Sequence, residues 1–185
     1  MGKGKLIVVS GPSGVGKDTV VDNIINNNKG FWKSVSLTTR EKRENEIEGV
    51  DYYFVDKDSF LKNISDKNLI EYAEVYKDIF YGTPKDIVFE KLNNGINVVL
   101  VIDVEGAFNV KKIIPEAILI FIIPPDMKEL EERLRNRKTD SEEKINERIE
   151  KAKIEIERSK DYDYRVINNN VFNCSNEILN IINNN

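Results

Sequence analysis

Ser10-Gly-Pro-Ser-Gly-Val-Gly-Lys-Asp-Thr19 is the stretch of this 185-residue chain whose residue types and spacing most directly define a chemistry. Gly11, Gly16 and Lys17 stand in the register G-x-x-x-x-G-K, with Pro12, Ser13, Gly14 and Val15 between them. Glycines there let successive backbone N–H groups turn inward around phosphate oxygens. The helix that follows supplies the positive end of its dipole, and the lysine reaches the β- and γ-phosphates. A glycine turn between strand and helix can be purely structural; Lys17 and the strand–loop–helix setting favour a nucleotide phosphate. Asp18 stands where such loops carry the serine or threonine that binds Mg2+, and Thr19 follows. A carboxylate is also a hard ligand for Mg2+, directly or through water. It is equally a first-turn acid that the helix dipole favours, with no part in metal binding.

The chemistry left to the rest of the chain is bounded by what is missing. It contains no histidine, which removes His-based acid/base catalysis, Ser-His-Asp triads and His-ligated metals. The single cysteine, Cys174, excludes an intramolecular disulfide framework and a Cys-rich zinc site. Net charge is −4, from 28 Lys plus Arg against 32 Asp plus Glu, so a general nucleic-acid coat is not expected. The longest apolar run, 117–123, is far shorter than the roughly 20 residues that span a bilayer, and no cleavage-site pattern follows residues 6–9. These features lead us to expect a cytoplasmic protein with no membrane, nucleic-acid or protein partner.

Elements that could position the loop follow from apolar patterning. Continuous β-branched runs at 6–9, 97–102, 117–123 and, more weakly, 164–167 suit strands of a parallel sheet covered on both faces. Helical stretches fall at 17–28, 84–94, 105–113, 126–136, 141–159 and 175–183, which predicts an α/β fold. Pro124-Pro125 stops the third run, and Asp126 is the expected N-cap of the next helix. Residues 34–83 break the alternation with short strands at 34–39, 52–55 and 69–74 and a helix near 57–66, and read as an inserted mixed α+β lobe. The charged stretch 136–143 reads as a mobile surface flap between two helices.

With the phosphate loop, several strings in order resemble the guanylate kinases: Ser36-Leu-Thr-Thr-Arg40-Glu-Lys-Arg43, Glu48-Gly-Val-Asp-Tyr52, Leu69-Ile-Glu71, Phe80-Tyr-Gly-Thr83, Ile102-Asp-Val-Glu-Gly106, Arg133-Leu-Arg-Asn-Arg137, Glu142-Glu143 with Arg148, and Tyr162-Asp-Tyr164 with Asn168. The resemblance covers essentially the whole chain. It implies a P-loop NTPase-type parallel sheet flanked by helices (1–33, 84–125 and 160–185), a GMP-binding lobe (34–83) and a helical lid (126–159). It also implies transfer of the γ-phosphoryl group of ATP to GMP with Mg2+. By the family's pattern Ser36, Glu71, Thr83 and Asp103 read the base. Carboxylates suit guanine's N1–H and N2–H2 donors and hydroxyls suit its O6. Adenine would leave those carboxylates without donors, a mismatch worth on the order of 10⁴-fold.

The same pattern gives the GMP phosphate to Arg40, Arg43, Tyr52 and Tyr81, where guanidinium forks suit a dianion. Tyr53, Phe54 and Phe80 are assigned to the core. Lys17, Arg40, Arg137 and Arg148 are the expected catalytic set, with Arg133 a weaker candidate, and Asn168 belongs beside the adenine of ATP. Phosphoryl transfer is mostly positioning and charge stabilisation, and a phosphate nucleophile needs no general base. Two departures stand out. The strand ends Val101-Ile-Asp103 where the family has Asp-x-Asp, so Asp103 and Asp18 become candidates for metal duty. The stretch Tyr76–Phe80 is one residue longer than the family's usual length before Tyr81, which predicts an altered hairpin.

Two other readings share these residues. A ribose 1,5-bisphosphokinase often carries Gly-Lys-Asp in its loop but has no base to read. A non-catalytic interaction module of guanylate kinase type typically has a degraded phosphate loop. The four base-reading matches argue against the first, and the intact loop argues against the second.

Overall fold

The computed structural model describes residues 2–136 and 141–185. The apolar runs form β1 (Leu6–Ser10), β7 (Asn97–Val101), β8 (Ile118–Ile123) and β9 (Tyr164–Ile167). Together with β2 (Phe31–Lys33) they make a five-stranded sheet of order β2-β7-β1-β8-β9, parallel in every pairing. Successive side chains of a strand alternate faces, and the core divides accordingly. Ile7, Val9, Ile120 and Ile122 pack on one side. There they meet α1 (Lys17–Asn27), α5 (Met127–Asn136), α6 (Glu142–Arg158) and α7 (Val171–Asn184). Leu6, Val8, Leu100, Leu119 and Phe121 pack on the other, against α3 (Lys85–Asn93) and α4 (Val104–Ile113). Burial of both faces is why these runs are continuous rather than alternating. On the first face Val20, Val21 and Ile24 of α1 share a core cluster with Cys174, Ile178 and Ile182 of α7.

The second sheet is mixed and small. Its order is β4 (Tyr52–Phe54), β3 (Ser36–Thr38), β6 (Ile79–Pro84), β5 (Leu69–Tyr76), with β3–β4 parallel and the other pairs antiparallel. Helix α2 (Lys57–Ser65) seats Phe60 beneath it, fully buried. The β5–β6 turn places Asp78 at φ 63°, and the pairing slips between Glu74 and Tyr76, beside the stretch read as one residue longer than usual. Asp126 accepts from Glu129 N at 2.8 Å, the expected cap of α5.

The structure departs from the sequence-based expectations at five points. Residues 31–33 form an edge strand of the main sheet, and the strand read at 34–39 covers only 36–38 and belongs to the other sheet. Ile79–Pro84 is a strand, and α7 begins at Val171, where the Asn170 side chain caps it through Phe172 N and Asn173 N. Tyr53, Phe54 and Phe80 are half-buried rather than core. Of the flap expected at 136–143, residues 137–140, including Arg137, lie outside the described residues, while Asn136 closes α5 and Ser141 caps α6. Among the described residues no helix is long and apolar enough to cross a membrane.

Candidate active site

The phosphate loop runs from the end of β1 into α1. Two of its glycines are demanded by the fold. A Cβ on Gly11 would lie 2.5 Å from the Ile122 carbonyl oxygen, and Gly16 enters the helix at φ 93° with the Asn168 amide 2.8 Å from where a Cβ would be. Val15, fully buried, pins the loop into the core. The loop curls around Lys17, whose Nζ donates to the carbonyls of Gly11 at 2.7 Å and Pro12 at 3.0 Å. From α6, Arg148 Nη1 donates to Ser13 Oγ at 2.5 Å, so this arginine already touches the loop.

Next to the loop lies a cavity of about 360 Å³. Its wall brings together Gly11, Ser13, Lys17 and Asp18 of the loop, Ser36, Arg43, Tyr52, Glu71 and Tyr81 of the mixed sheet, Asp103, and Arg148. Most of the residues singled out from sequence therefore converge. Asp103 caps α4, its Oδ1 accepting from Gly106 N at 2.8 Å. Glu71 on β5 is only 6% exposed. Burial above all, with the Asp103 charge adding to it, pushes its carboxyl up to about 7, against the opposing hydrogen bond from Thr83. A Cβ on Gly106 would stand 2.8 Å from Glu71 Oε2 and 3.2 Å from Asp103 Oδ1. Glycine at 106 is what lets these two acids share one space, a role sequence reasoning missed although it quoted the residue.

Two predicted residues act from behind this wall. Thr83 is fully buried and donates its hydroxyl proton to Glu71 Oε1 at 2.6 Å, so that proton is not aimed into the cavity as expected. The Arg40 guanidinium is gripped by Glu46, with Nη1 to Oε2 at 3.0 Å and Nη2 to Oε1 at 2.7 Å; both side chains are 15% exposed. Its Nε donates to Tyr81 Oη at 3.2 Å. It also lies over the rings of Tyr52 and Phe54, at 5.4 and 5.7 Å, so Phe54 serves this cation rather than the core. The hydrogen bonds to Arg40 hold Glu46 below the usual carboxylate range, and Glu46 in turn raises Arg40. Glu46 also accepts from Arg43 N at 2.8 Å, closing the 40–46 loop. Its only sequence signal was an acid three residues past Arg43.

On α6 the spacing 148, 151, 155 sets Arg148, Lys151 and Glu155 on one face, and all three reach the cavity. Glu155, also missed, is pushed up by burial, which outweighs the neighbouring lysines. Asp18 faces the cavity but gives its Oδ1 to Lys33 Nζ at 3.0 Å. Among the described residues no three acids cluster as a resident metal site would need. Asp18 and Asp103, two carboxylates that line the same cavity as Lys17, fit instead a Mg2+ that arrives with nucleotide phosphates and keeps much of its water.

A second cavity, of about 450 Å³, opens on the far side of the phosphate loop around Gly14, Gly16, Thr19, Arg133 and Asn168. Arg133 ties the Val15 and Asn168 carbonyls together, each at 3.1 Å, and so belongs here and not to the central cavity. Asn168 donates Nδ2 to Val15 O at 2.8 Å. Its Oδ1 is buried with no hydrogen-bond partner among the described residues, a rare condition for a buried polar atom.

Comparison with known proteins gives a consistent result. The family model described as guanylate kinase matches residues 3–185. The guanylate kinase of Carboxydothermus hydrogenoformans is 48% identical over 178 residues, covering 96% of this chain and 87% of that protein. That of Clostridium acetobutylicum is 47% identical, covering 97% and 85%. Among solved structures, guanylate kinase from Anaplasma phagocytophilum superposes with a TM-score of 0.81 at 36% identity, covering 98% of this chain and 86% of that one.

Proposed function

The chain belongs to the guanylate kinase family and is a nucleoside monophosphate kinase, and from that premise we propose how its residues carry ATP + GMP to ADP + GDP. The observation that carries the reading is the pair Glu71 and Asp103, facing one another across Gly106 in the same cavity as Lys17. Guanine's pairing edge offers N1–H and N2–H2 to two acceptors, and adenine does not. Ser36 supplies a hydroxyl for O6, while Thr83 orients Glu71. Arg43, Tyr52 and Tyr81 hold the GMP phosphate, with Arg40 fixing Tyr81 and sharing its charge.

The donor's phosphates take the loop from Gly11 to Thr19 and Lys17. Its adenine takes the cavity beyond the loop, where the free lone pairs of Asn168 Oδ1 suit an exocyclic amine. Mg2+ bound with ATP supplies charge neutralisation on the phosphate oxygens, and Asp18 and Asp103 are the carboxylates in reach of that role. A GMP phosphate oxygen then attacks the γ-phosphorus in line with the leaving ADP oxygen. Lys17 and Arg148, with Arg137 by resemblance, stabilise charge on the transferring group. The parts divide as core (1–33, 84–125, 160–185), GMP lobe (34–83) and lid (126–159), and closure of the last two excludes water as a competing acceptor. The setting is cytoplasmic, with small-molecule substrates only.

A coupled ADP-release assay with Mg·ATP and, in parallel, GMP, AMP and ribose 1,5-bisphosphate tests the reading. Turnover on GMP alone is expected. Turnover on the sugar phosphate alone would mean that Glu71 and Asp103 do not read a base. Silence on all three, with GMP still bound, would leave an interaction module.

A further inference from the structure

The cation beside Asp18 has no part in the mechanism above, yet it is held with care. Lys33 is the last residue of β2, where its backbone is paired with Val99 and the next amide, Ser34 N, donates to the Val99 carbonyl at 2.9 Å. From that fixed base its ammonium meets two carboxylates one turn apart on α1, Asp18 at 3.0 Å and Asp22 at 3.1 Å. Its side chain is 31% exposed, whereas Asp18 is 71% exposed.

Asp18 stands at a junction. It borders the central cavity together with Lys17 and also a smaller one, of about 260 Å³, together with Lys33 and Ser34. A carboxylate at the residue after Lys17 faces two consequences when a nucleotide arrives. It repels the incoming phosphates, and it competes with water for their metal. We propose that Lys33 is a positioning residue that draws the Asp18 carboxylate onto the flank of α1, cancelling its charge toward the donor phosphates and keeping it from ligating their metal directly, so that Asp18 meets that metal only through its water. Asp22 is the second anchor that keeps the ammonium from swinging to solvent. Lys33 thereby sets how strongly the phosphate loop depends on metal for holding a nucleotide. The proposal rests on the reading of the loop as the donor-phosphate site.

Calorimetric titration of the full chain with ADP, first in a chelator and then with Mg2+, tests it on wild type, Lys33→Met, Lys33→Arg, Asp18→Asn and the Lys33→Met/Asp18→Asn double variant. Partly exposed ion pairs are modest, so Lys33→Met is expected to weaken metal-free ADP binding about threefold. It is also expected to enlarge the gain on adding Mg2+, because the released Asp18 joins the metal. Lys33→Arg should behave as wild type, and in the Asp18→Asn background the Lys33→Met change should have no effect. A Lys33→Met protein equal to wild type without metal overturns the proposal. So does an equal loss in the Asp18→Asn background, which would make Lys33 act without Asp18. Failure of the wild type to bind ADP at all would overturn the loop reading itself.

Discussion

Thr83 Oγ1 donates to Glu71 Oε1 at 2.6 Å, with Thr83 fully buried and Glu71 only 6% exposed at the cavity wall. That bond favours the carboxylate, while burial and the neighbouring Asp103 favour the acid, and the acid gains: Glu71 sits at about 7 rather than its ordinary 4.5. The group proposed to accept from guanine is therefore half protonated near neutrality before GMP binds.

Binding GMP should expel that proton. Calorimetry of GMP binding at pH 6 in buffers of different ionisation enthalpy should show close to one more proton released by wild type than by Glu71→Gln. The comparison subtracts the titration of the GMP phosphate itself. Equal proton release in the two proteins would refute the assignment. Stability follows the same linkage. An acid raised on folding contributes stability that is fully present below about 4.5 and lost as pH rises through about 7, a swing of roughly 3 kcal/mol. Glu71→Gln should therefore melt higher than wild type at pH 8 and show no such advantage at pH 4.

Gly106→Ala places a methyl group 2.8 Å from Glu71 Oε2. Because the obstacle is a carboxylate held by Thr83, it cannot swing away cheaply. GMP affinity should fall by tenfold or more while ADP affinity stays within twofold. A loss shared equally by both nucleotides would mean that the methyl group disturbs α4 as a whole.

Glu46→Gln keeps the shape of the Arg40 clamp and removes its charge. Loss of a bidentate charged contact between half-buried partners costs about 1–2 kcal/mol of positioning. The KM for GMP should rise about tenfold with a smaller change in kcat. If instead the KM for GMP falls, Glu46 opposes the substrate's phosphate rather than holding Arg40 for it.

Arg148→Ala removes a cation that reaches Ser13 from α6. Stabilisers of developing charge are typically worth 10²–10³ in kcat, and a loss of about that size is expected, with the Kd for GMP unchanged. A kcat within fivefold of wild type would remove Arg148 from the transfer step.

How much of this could be seen in the chain itself varied with the physics. The phosphate loop was legible because its glycines and lysine are fixed by a local geometry of a few residues. The sheet was legible at 6–9 and 97–102 because burial on both faces leaves an unmistakable apolar run. Phe31–Lys33 was not: it is a three-residue edge strand, half-buried, with no run and no alternation. Side-chain partnerships were the least visible. Nothing in the spacing of Glu46, six residues from Arg40, says that its carboxylate closes on that guanidinium. Nor does any pattern join Lys33 to Asp18, fifteen residues away, or turn the Thr83 hydroxyl toward Glu71. The resemblance named a group of residues, most of which the fold brings to one cavity. It could not say which face the cavity and which stand behind.

The packing of α7 against α1 carries a consequence for how the molecule is made. Val20, Val21 and Ile24, on the helix that opens at the phosphate loop, share their core with Cys174, Ile178 and Ile182, and α7 is translated after every other described element. While the ribosome is still extending the chain, the nucleotide-binding helix has an oily flank with no cover. Maturation of the catalytic loop therefore awaits α7, and a nascent chain arrested before residue 171 should be retained by an ATP-affinity matrix no better than one lacking Lys17.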